Sequence, residues 1–282
     1  MIETHKSRSL TLTAVMAVYL NDHKNDVDMA VKSILNQSLL PDRFIIVADG
    51  PLDAKVSKLL NHYKQNPLIH LVGLDKNHGR GQARNFAIQE CKTDLIAMMD
   101  ADDISRPFRF ASQIAVFENE KKVDILGGGI EEFSSFPGDL GLRRTLPKDD
   151  KAIKTSMAYR TPFNHVTVIF RKSLFDKISG YRKLNLVEDW DFALRAAGAG
   201  AQFMNTEQVL VDVRVSPKSN YGYKYFSEEI RILNDAFRAK TISSGAFVFS
   251  VVIRLLRFLT PTFIANRLKR RYMRNIIRQS AN

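Results

Sequence analysis

The stretch Leu95-Ile96-Ala97-Met98-Met99-Asp100-Ala101-Asp102-Asp103 places three carboxylates directly after a short apolar run. A run of this length without polar residues predicts a buried strand. Unpaired carboxylates are costly to bury, so we expect these side chains to face a cleft and to hold a positive charge. A divalent cation such as Mg²⁺ fits, because it takes one or two carboxylates and completes its shell with water and phosphate oxygens. The alternative interpretation is an acidic turn that caps the next helix.

Strand and helix patterns alternate regularly in the part of the chain that leads to this stretch. The apolar, strand-like runs lie at residues 12–19, 44–48, 69–72 and 95–99, and the amphipathic helical patterns lie at residues 26–36, 54–66 and 81–90. This alternation predicts an α/β fold with a Rossmann-like, mostly parallel central sheet and helices on both faces. Ligands of such sheets bind beyond the carboxyl ends of the strands. Tyr19, Asp49 and Asp75 fall at such ends, as does the acidic stretch 100–103, which favours a cleft over a simple turn.

The patterns after residue 103 are less regular. They predict helices at residues 107–119 and 188–197, strands at 123–130 and 166–171, and a loop at 133–147. The last helix opens with Glu188-Asp189-Trp190-Asp191. A carboxylate in the first turn of a helix is kept ionised by the helix dipole and can act as a general base. An ordinary acidic helix start is the alternative.

Composition limits the class of protein. The chain has 282 residues, of which 45% are hydrophobic and 26% are charged, as in a globular protein. Its single cysteine, Cys91, excludes an intramolecular disulfide and favours a reducing compartment. The N-terminus lacks the apolar core of a signal peptide, and no uncharged apolar run is long enough to cross a bilayer. We therefore expect a cytoplasmic location and no transmembrane helix.

The net charge of +12 belongs almost entirely to the C-terminal segment. Residues 236–282 contain ten Lys and Arg and no Asp or Glu, which leaves +2 for the rest of the chain. The nearly neutral body argues against nucleic-acid binding. In the segment, Ser250, Arg254 and Arg257 form a narrow polar stripe on an otherwise apolar helical pattern, and basic residues flank a second pattern at 262–278. A broad apolar face with a basic border predicts a helix that lies on an anionic membrane surface.

Taken in order, several short motifs resemble those of glycosyltransferase family 2, the inverting nucleotide-sugar transferases with a GT-A fold. The matching segments are Ala14-Val15-Met16-Ala17-Val18-Tyr19, Ser33-Ile34-Leu35-Asn36-Gln37-Ser38, Ile45-Ile46-Val47-Ala48-Asp49-Gly50, Asn77 with Gly79, Ala83-Arg84-Asn85, Asp100-Ala101-Asp102-Asp103, Phe163-Asn164-His165 with Phe170-Arg171-Lys172, and Glu188-Asp189. The resemblance covers about residues 12–216. In size and layout the chain is similar to bacterial transferases for capsule, O-antigen and exopolysaccharide. Where the family often has Asp-Asp-Gly-Ser, this chain has Ala48-Asp49-Gly50-Pro51, so one acidic position is lost.

The resemblance implies a role for each candidate site residue. Asp102 would be the direct ligand of a divalent metal, Mn²⁺ or Mg²⁺, and Asp100 a second ligand that lies near the ribose. Asp189 would be the catalytic base that deprotonates the acceptor hydroxyl. Asp49 would hydrogen-bond the base of the nucleotide, against which Tyr19 would pack. The substrate and nucleotide contacts that the resemblance implies are Ala17, Tyr19, Asp49, Gly79, Arg84, Asp100, Ala101, His165, Glu188, Trp190 and Arg214.

Four residues in or near these motifs keep a second interpretation. Arg84 is either a phosphate clamp or a charge on a helix surface. His165 holds the metal or a sugar, or it is a structural histidine. Trp190 stacks on a sugar face or belongs to the core, and Arg214 lies in a mobile loop near the diphosphate or in an ordinary solvated loop. Asp103 is expected to cap the helix after residue 107.

The implied reaction is the transfer of a sugar from a nucleotide-sugar, with UDP-sugars favoured, to a hydroxyl of a lipid-linked oligosaccharide. Residues 1–235 would form the catalytic domain, divided into a nucleotide-binding half at 1–103 and an acceptor half at 104–235. Residues 236–282 would form a basic helical tail that meets an anionic membrane through residues 246–278. The protein would then lie peripherally on the inner face of the cytoplasmic membrane and bind no nucleic acid.

Two other classes of protein remain open. The first is a nucleotidyltransferase or another Rossmann-like nucleotide-dependent transferase. A glycine-rich loop bearing Lys or Arg after the first strand would favour this class. Residues 21–24, Asn-Asp-His-Lys, offer no such loop. The second is a non-catalytic membrane adaptor, which would not need the two acidic motifs that are present.

Overall fold

The computed structural model describes residues 9–215 and 223–260. The strands of this part of the chain are β1 (Leu12–Val18), β2 (Arg43–Ala48), β3 (Ile69–Gly73), β4 (Leu95–Asp100), β5 (Ile104–Ser105), β6 (Ile125–Phe133), β7 (Leu142–Arg144), β8 (Ile169–Arg171) and β9 (Phe203–Arg214). The helices are α1 (Lys24–Leu35), α2 (Ala54–Tyr63), α3 (Arg80–Gln89), α4 (Arg109–Asn119), α5 (Asp150–Ser156), α6 (Lys172–Lys177), α7 (Glu188–Gly198), α8 (Tyr223–Arg238) and α9 (Ser244–Leu259).

The strands form one sheet in the order β3-β2-β1-β4-β8-β6-β9-β5, with β7 attached to β6. Its first half, β3-β2-β1-β4, is entirely parallel, as the regular strand–helix alternation predicts. In the registers of these strands, Ala17 lies opposite both Val47 and Asp100. The residues that follow β1, β2 and β4 therefore meet at one edge of the sheet.

The second half of the sheet is mixed. Strand β8 is antiparallel to both β4 and β6, whereas β9 is parallel to β6 and antiparallel to β5. The strand predicted at 166–171 is shorter than expected, because it is preceded by a short 3₁₀ helix at His165–Thr167. The predicted loop at 133–147 contains β7. Strand β9 has no counterpart among the sequence predictions.

Helices cover both faces of the sheet, and each face has its own apolar core. One core packs Val27, Val31, Ile34 and Phe110 against the side of β1 that carries Leu12 and Met16. The other packs Ala83, Phe175, Phe192, Leu233 and Ile242 against the side that carries Val15 and Met98. The α/β fold that the sequence predicts, with a largely parallel central sheet and helices on both faces, is confirmed in this arrangement.

The C-terminal helices belong to the second core and do not form a separate body. Leu233 and Ala236 of α8 are buried, and so is Ile242 after it. The domain boundary expected at residue 235 therefore falls inside α8. Among the helices in the described ranges, none is both long and apolar enough to span a bilayer. The second helical pattern of the tail, at residues 262–278, lies outside the described residues.

Candidate active site

A cleft of about 300 Å³ opens at the carboxyl ends of β1, β2 and β4. Its volume lies at the lower end of the range typical of small-ligand sites. Its lining includes eight of the residues that the sequence predicts for the site, namely Ala17, Tyr19, Asp49, Gly79, Arg84, Asp100, Ala101 and Asp102. The parallel registers explain why these residues lie together. Most of them lie at or just after the carboxyl ends of β1, β2 and β4, and the others lie directly before or within α3, the helix that packs against β1 and β2.

Asp49 organises the loop that leads into α3. Its Oδ1 accepts a hydrogen bond from the N–H of His78 at 2.7 Å, and its Oδ2 accepts one from the N–H of Gly79 at 3.1 Å. The loop approaches the next residue so closely that a Cβ on Gly50 would lie 2.7 Å from the backbone nitrogen of Asn77. Gly50 also has a φ of +88°, a backbone conformation that residues with a Cβ rarely adopt. Asp49 and Gly50 thus fix the position of the loop at residues 77–79, which borders the cleft.

Arg84 joins the two acidic motifs of the chain. It is buried in α3, and its Nη2 donates to Asp100 Oδ1 at 2.8 Å while its Nη1 donates to Glu188 Oε1 at 3.2 Å. Partial burial opposes ionisation of Asp100, but the Arg84 guanidinium outweighs that effect and holds the pKa of the carboxyl below its usual range. Burial raises the pKa of Glu188 in spite of the same guanidinium. The interpretation of Arg84 as a helix-surface charge is therefore wrong.

Asp102 and Asp22 carry negative charge that the protein compensates incompletely. Burial and the charge of Asp100 raise the pKa of Asp102. Burial also raises the pKa of Asp22 to about 6, and the charges of Asp102 and Asp100 act in the same direction. All three carboxylates line the cleft. A cation in the cleft would relieve this repulsion.

The donor atoms of the cleft fit a hard divalent cation. Asp100 and Asp102 supply carboxylate oxygens, and a cation such as Mg²⁺ takes its other ligands from water and phosphate oxygens. Within residues 9–215 and 223–260, no group of three or more His, Cys, Asp or Glu side chains could hold a metal ion by itself. The two-carboxylate set therefore suits a cation that arrives with a diphosphate.

Asp103 is a structural residue, but it does not cap a helix as expected. Its carboxylate is buried and accepts a hydrogen bond from the N–H of Arg214 at 2.8 Å. Burial and the charges of Asp100 and Asp102 raise its pKa well above the usual range. Helix α4 begins only at Arg109, and Phe108 precedes it without a side-chain cap. The carboxylate therefore ties the acidic stretch to the end of β9.

Asp189 lies at the first turn of α7, next to a small second cavity. The cavity is lined by Asp189, His165 and Tyr181 together with apolar side chains. Burial raises the pKa of Asp189, whereas burial and the positive charge of Arg84 lower the pKa of His165 to about 3. Within the described part of the chain, the buried Nε2 of His165 and the hydroxyl of Tyr181 have no hydrogen-bond partner. The neutral imidazole of His165 and the carboxylate of Asp189, whose pKa is raised, thus line one largely apolar cavity.

The structure supports the core interpretation of Trp190, and it contradicts both loop interpretations of Arg214. Trp190 is only 4% exposed, and its indole Nε1 donates to the carbonyl of Met157 at 2.7 Å, so its ring does not present a face to a sugar. Arg214 ends β9 and does not lie in a loop. Its Nη2 is 2.9 Å from Asp26 Oδ1, and its guanidinium lies over the ring of Phe133. The loop assignment of Arg214 failed because β9 was not foreseen.

Three residues that the fold brings to the cleft have no place in the sequence prediction. These are Asp22, Arg80 and Asn185, whereas Val18 and Asn77, which also line the cleft, lie in the predicted motifs. Asp22 follows β1 by four residues, and its Oδ2 accepts a hydrogen bond from the N–H of Tyr19 at 2.9 Å. Its position after a strand end was the signal that could have found it. Asn185 comes from the segment before α7, far away in sequence, and no local pattern marks it.

Comparison with known proteins gives a consistent family match. The family model described as "Glycosyl transferase family 2" matches residues 13–179. The chain is 31% identical over 268 residues to a UDP-Gal:alpha-D-GlcNAc-diphosphoundecaprenol beta-1,3-galactosyltransferase from Escherichia coli, covering 94% of this chain and 97% of that protein. It is 27% identical to the amylovoran biosynthesis glycosyltransferase AmsE from Erwinia amylovora, covering 88% of this chain and 92% of the relative.

Solved structures show the same fold. The crystal structure of S. aureus TarS residues 1–349 with UDP-GlcNAc aligns with a TM-score of 0.65 at 14% identity, over 87% of this chain and 72% of that one. A longer TarS structure aligns with a TM-score of 0.66 at 16% identity, and this chain spans 43% of its length. At such low identity the likeness concerns the fold alone.

Proposed function

Because this chain belongs to glycosyl transferase family 2, we propose that it transfers a sugar from a UDP-sugar to a hydroxyl of a lipid-linked saccharide. One observation carries the proposal: the cleft holds Asp100 and Asp102 at a strand end, and buried Arg84 connects Asp100 to Glu188, the neighbour of Asp189. A donor site and a candidate base are thus built around one guanidinium. Bacterial surface-polysaccharide synthesis is the setting that the two relatives support.

The donor side would be held by the acidic stretch and the loop below it. Asp102 and Asp100 would bind a divalent metal, Mn²⁺ or Mg²⁺, and the bound cation would stabilise the charge that develops on the leaving diphosphate. Tyr19 and Asp49 would contact the nucleoside, with Ala17, Gly79 and Ala101 in close approach. The relative that uses UDP-Gal supports a uridine nucleotide, so UDP-galactose is the first donor to test.

On the acceptor side, Asp189 would be the catalytic base. In a single displacement, the acceptor oxygen bonds to the anomeric carbon while the bond from that carbon to the diphosphate oxygen breaks, and the hydroxyl proton passes to the Asp189 carboxylate. A raised pKa suits this role, because a base is most effective when its pKa approaches the working pH. Displacement from the opposite face inverts the configuration of the sugar. His165 and Glu188 would shape the acceptor pocket, since neither lines the donor cleft.

The protein would bind its lipid-linked acceptor at the surface of an anionic membrane. Helix α9 exposes a row of apolar side chains, including Val252, Leu256 and Leu259. Residues 261–282 follow it with six Lys and Arg and no Asp or Glu. An exposed apolar face next to a basic segment matches a bilayer interface with anionic headgroups. We therefore place the protein peripherally on the inner face of the cytoplasmic membrane, with contacts through residues 246–278.

A transfer assay tests the proposal. The full chain is incubated with UDP-, GDP- and dTDP-sugars, with Mn²⁺ or EDTA, and with GlcNAc-diphosphoundecaprenol as acceptor. We expect metal-dependent transfer from a UDP-sugar. Asp189→Asn should lower kcat by about 10²- to 10⁴-fold while UDP binding persists. Asp102→Ala should instead abolish the effect of Mn²⁺ on UDP affinity. Transfer from no member of the panel, or near-normal turnover of Asp189→Asn, would contradict the proposal.

A further inference from the structure

Helix α9 buries two polar residues against the protein, beside the partly buried Ala246 and Phe247, and exposes most of its large apolar residues. Ser250 and Arg254 are 0% and 3% exposed, whereas Leu256 and Leu259 are 61% and 71% exposed. A surface helix of a globular protein has the opposite arrangement. Of the polar stripe that the sequence predicts, Ser250 and Arg254 lie inside and Arg257 is exposed. The buried polar groups must therefore have partners in the body of the protein.

Those partners are the backbone carbonyls of Ala158 and Tyr159, which follow α5, and the carbonyl of Met157 just before them accepts from Trp190 of α7. The carbonyls of residues 157–159 accept hydrogen bonds, in order, from Trp190 Nε1 at 2.7 Å, Ser250 Oγ at 2.6 Å and Arg254 Nη2 at 3.0 Å. Carbonyls at the C-terminal end of a helix lack partners within it, so donors from elsewhere can satisfy them. One turn of backbone thus holds both α7, through Trp190, and α9.

Arg254 also contacts Trp190 directly. Its guanidinium carbon lies 4.5 Å from the centroid of the indole ring, and its Nε lies 3.5 Å from Glu229 Oε2 on α8. Cation–π contacts are strongest when they are removed from water, as this one is. Trp190 follows Asp189 in the chain, and its N–H donates to Asp189 Oδ1 at 2.7 Å. Helix α9 therefore contacts the first turn of α7 through the pair of Arg254 and Trp190.

We propose that Arg254 is a positioning residue that fixes the Asp189 carboxylate through Trp190. Helix α9 must then be packed on the protein for Asp189 to act as the base. The inference rests on the proposed function, in which Asp189 is the base. Arg254 does not line the donor cleft. Its loss should therefore impair the chemical step and leave donor binding intact, since small misplacements of a reacting group lower kcat far more than ground-state affinity.

Steady-state kinetics with the transfer assay test the inference. Arg254→Met, which keeps an unbranched side chain but removes the guanidinium, should lower kcat by about 10- to 100-fold while KM for the donor stays within about twofold. Arg254→Lys keeps the charge and should recover part of kcat. The matched control is Arg231→Met on α8, where the arginine is exposed. It should leave both constants unchanged.

A second readout follows the ring itself. Trp190 is the only tryptophan of the chain, so intrinsic fluorescence reports on it alone. In Arg254→Met, acrylamide should quench the emission more strongly than in the wild type, and Arg254→Lys should be intermediate. Ser250→Ala, a milder change, should shift kcat and quenching in the same direction. If Arg254→Met does not fold, the Lys and Ser250→Ala variants carry the test.

The outcomes separate this inference from the proposed function. If the wild type does not transfer any sugar, the proposed function fails and the inference fails with it. If the wild type is active and Arg254→Met keeps its kcat, the inference alone is overturned. It is also overturned if donor KM rises as much as kcat falls, or if quenching is unchanged while activity is lost.

Discussion

Arg84 Nη2 lies 2.8 Å from Asp100 Oδ1 in an ion pair whose guanidinium is buried and whose carboxylate, 38% exposed, lines the cleft. The same guanidinium reaches Glu188 Oε1 at 3.2 Å, so one cation serves two carboxylates from opposite halves of the chain. Its side chain is only 4% exposed. The two acidic motifs are therefore coupled electrostatically through one guanidinium.

Removal of this cation should cost both stability and donor affinity. Arg84→Met leaves the Glu188 carboxylate buried without its partner, and breaking a buried pair in this way costs about 3–5 kcal/mol of unfolding free energy. Asp100 would lose the charge that keeps it ionised, so UDP should bind more weakly in Mn²⁺. Urea unfolding and calorimetry measure the two effects. The control is Arg160→Met, at an exposed position, which should change neither quantity. Unchanged stability of Arg84→Met would contradict the coupling.

Asp22 should make the metal-free protein less stable as the pH rises. Its carboxyl has a pKa of about 6 in the folded protein and about 3.8 when unfolded, so the folded state binds more protons between these values. Stability is thus lost as the pH rises through this window, and the full cost is present above about pH 6. Asp22→Asn keeps the oxygen that accepts from Tyr19 but carries no charge.

The Asn variant should therefore be more stable than the wild type at pH 7.5, by about 1–3 kcal/mol, and equal to it near pH 4. Urea unfolding in EDTA at both values measures the difference. Comparison of the two proteins cancels the titration of all other groups that they share. A difference that is the same at both pH values would show that desolvation of this carboxyl is not its cause.

Gly50 and Gly79 provide a matched pair for the loop under the cleft. Both have positive φ, at +88° and +87°, but only a Cβ on Gly50 would meet backbone, at Asn77. Gly79→Ala should cost about 1–3 kcal/mol from backbone strain alone. Gly50→Ala should cost more and also weaken UDP binding, because the loop held by Asp49 must move. Gly73, where a Cβ meets nothing within 4 Å, is the neutral control. Equal losses at the two glycines would contradict the role of close approach.

The part of the fold that the sequence predicts is the part with local signals. Strands β1 to β4 are short apolar runs between amphipathic helices, and their parallel pairing places Asp49, Asp100 and Asp102 together without further information. Strand β9 differs because its twelve residues include Asn205 and Asp212, and its partners β5 and β6 are distant in sequence. Its second half, Val209-Leu210-Val211-Asp212-Val213, is strand-like, but the polar run before it, Asn205-Thr206-Glu207-Gln208, is typical of a loop.

Arg84 and Trp190 illustrate the same limit at the site. An arginine on a helix resembles a surface charge until its partners, 16 and 104 residues away, are known. Trp190 resembles a sugar platform until the carbonyl of Met157 and the guanidinium of Arg254 are placed against it. In both cases the deciding contacts are made between distant segments. Periodicity can reveal a polar stripe on a helix, but not whether the stripe faces water or the core.

The orientation of α9 leads to a prediction about membrane binding. Its exposed apolar row can be removed without touching the buried stripe, because Leu256 and Leu259 are exposed while Ser250 and Arg254 are buried. Truncation after Asp235 would be a poorer experiment, since it cuts α8 and removes the partners of Trp190. The double variant Leu256→Gln/Leu259→Gln keeps those partners.

This double variant should lose affinity for vesicles that contain anionic lipid. Each leucine contributes about 1.5–3 kcal/mol when it is fully buried, so partial insertion of two should account for about a 10- to 100-fold change in binding. Co-sedimentation with phosphatidylglycerol vesicles measures it. The matched control is Phe136→Gln/Leu140→Gln, which alters two exposed apolar residues away from α9. UDP affinity should be normal in both variants, and turnover on a lipid-linked acceptor should fall only in the first. If both variants sediment like the wild type, α9 does not contact the bilayer, and the basic residues 261–282 would have to bind it alone.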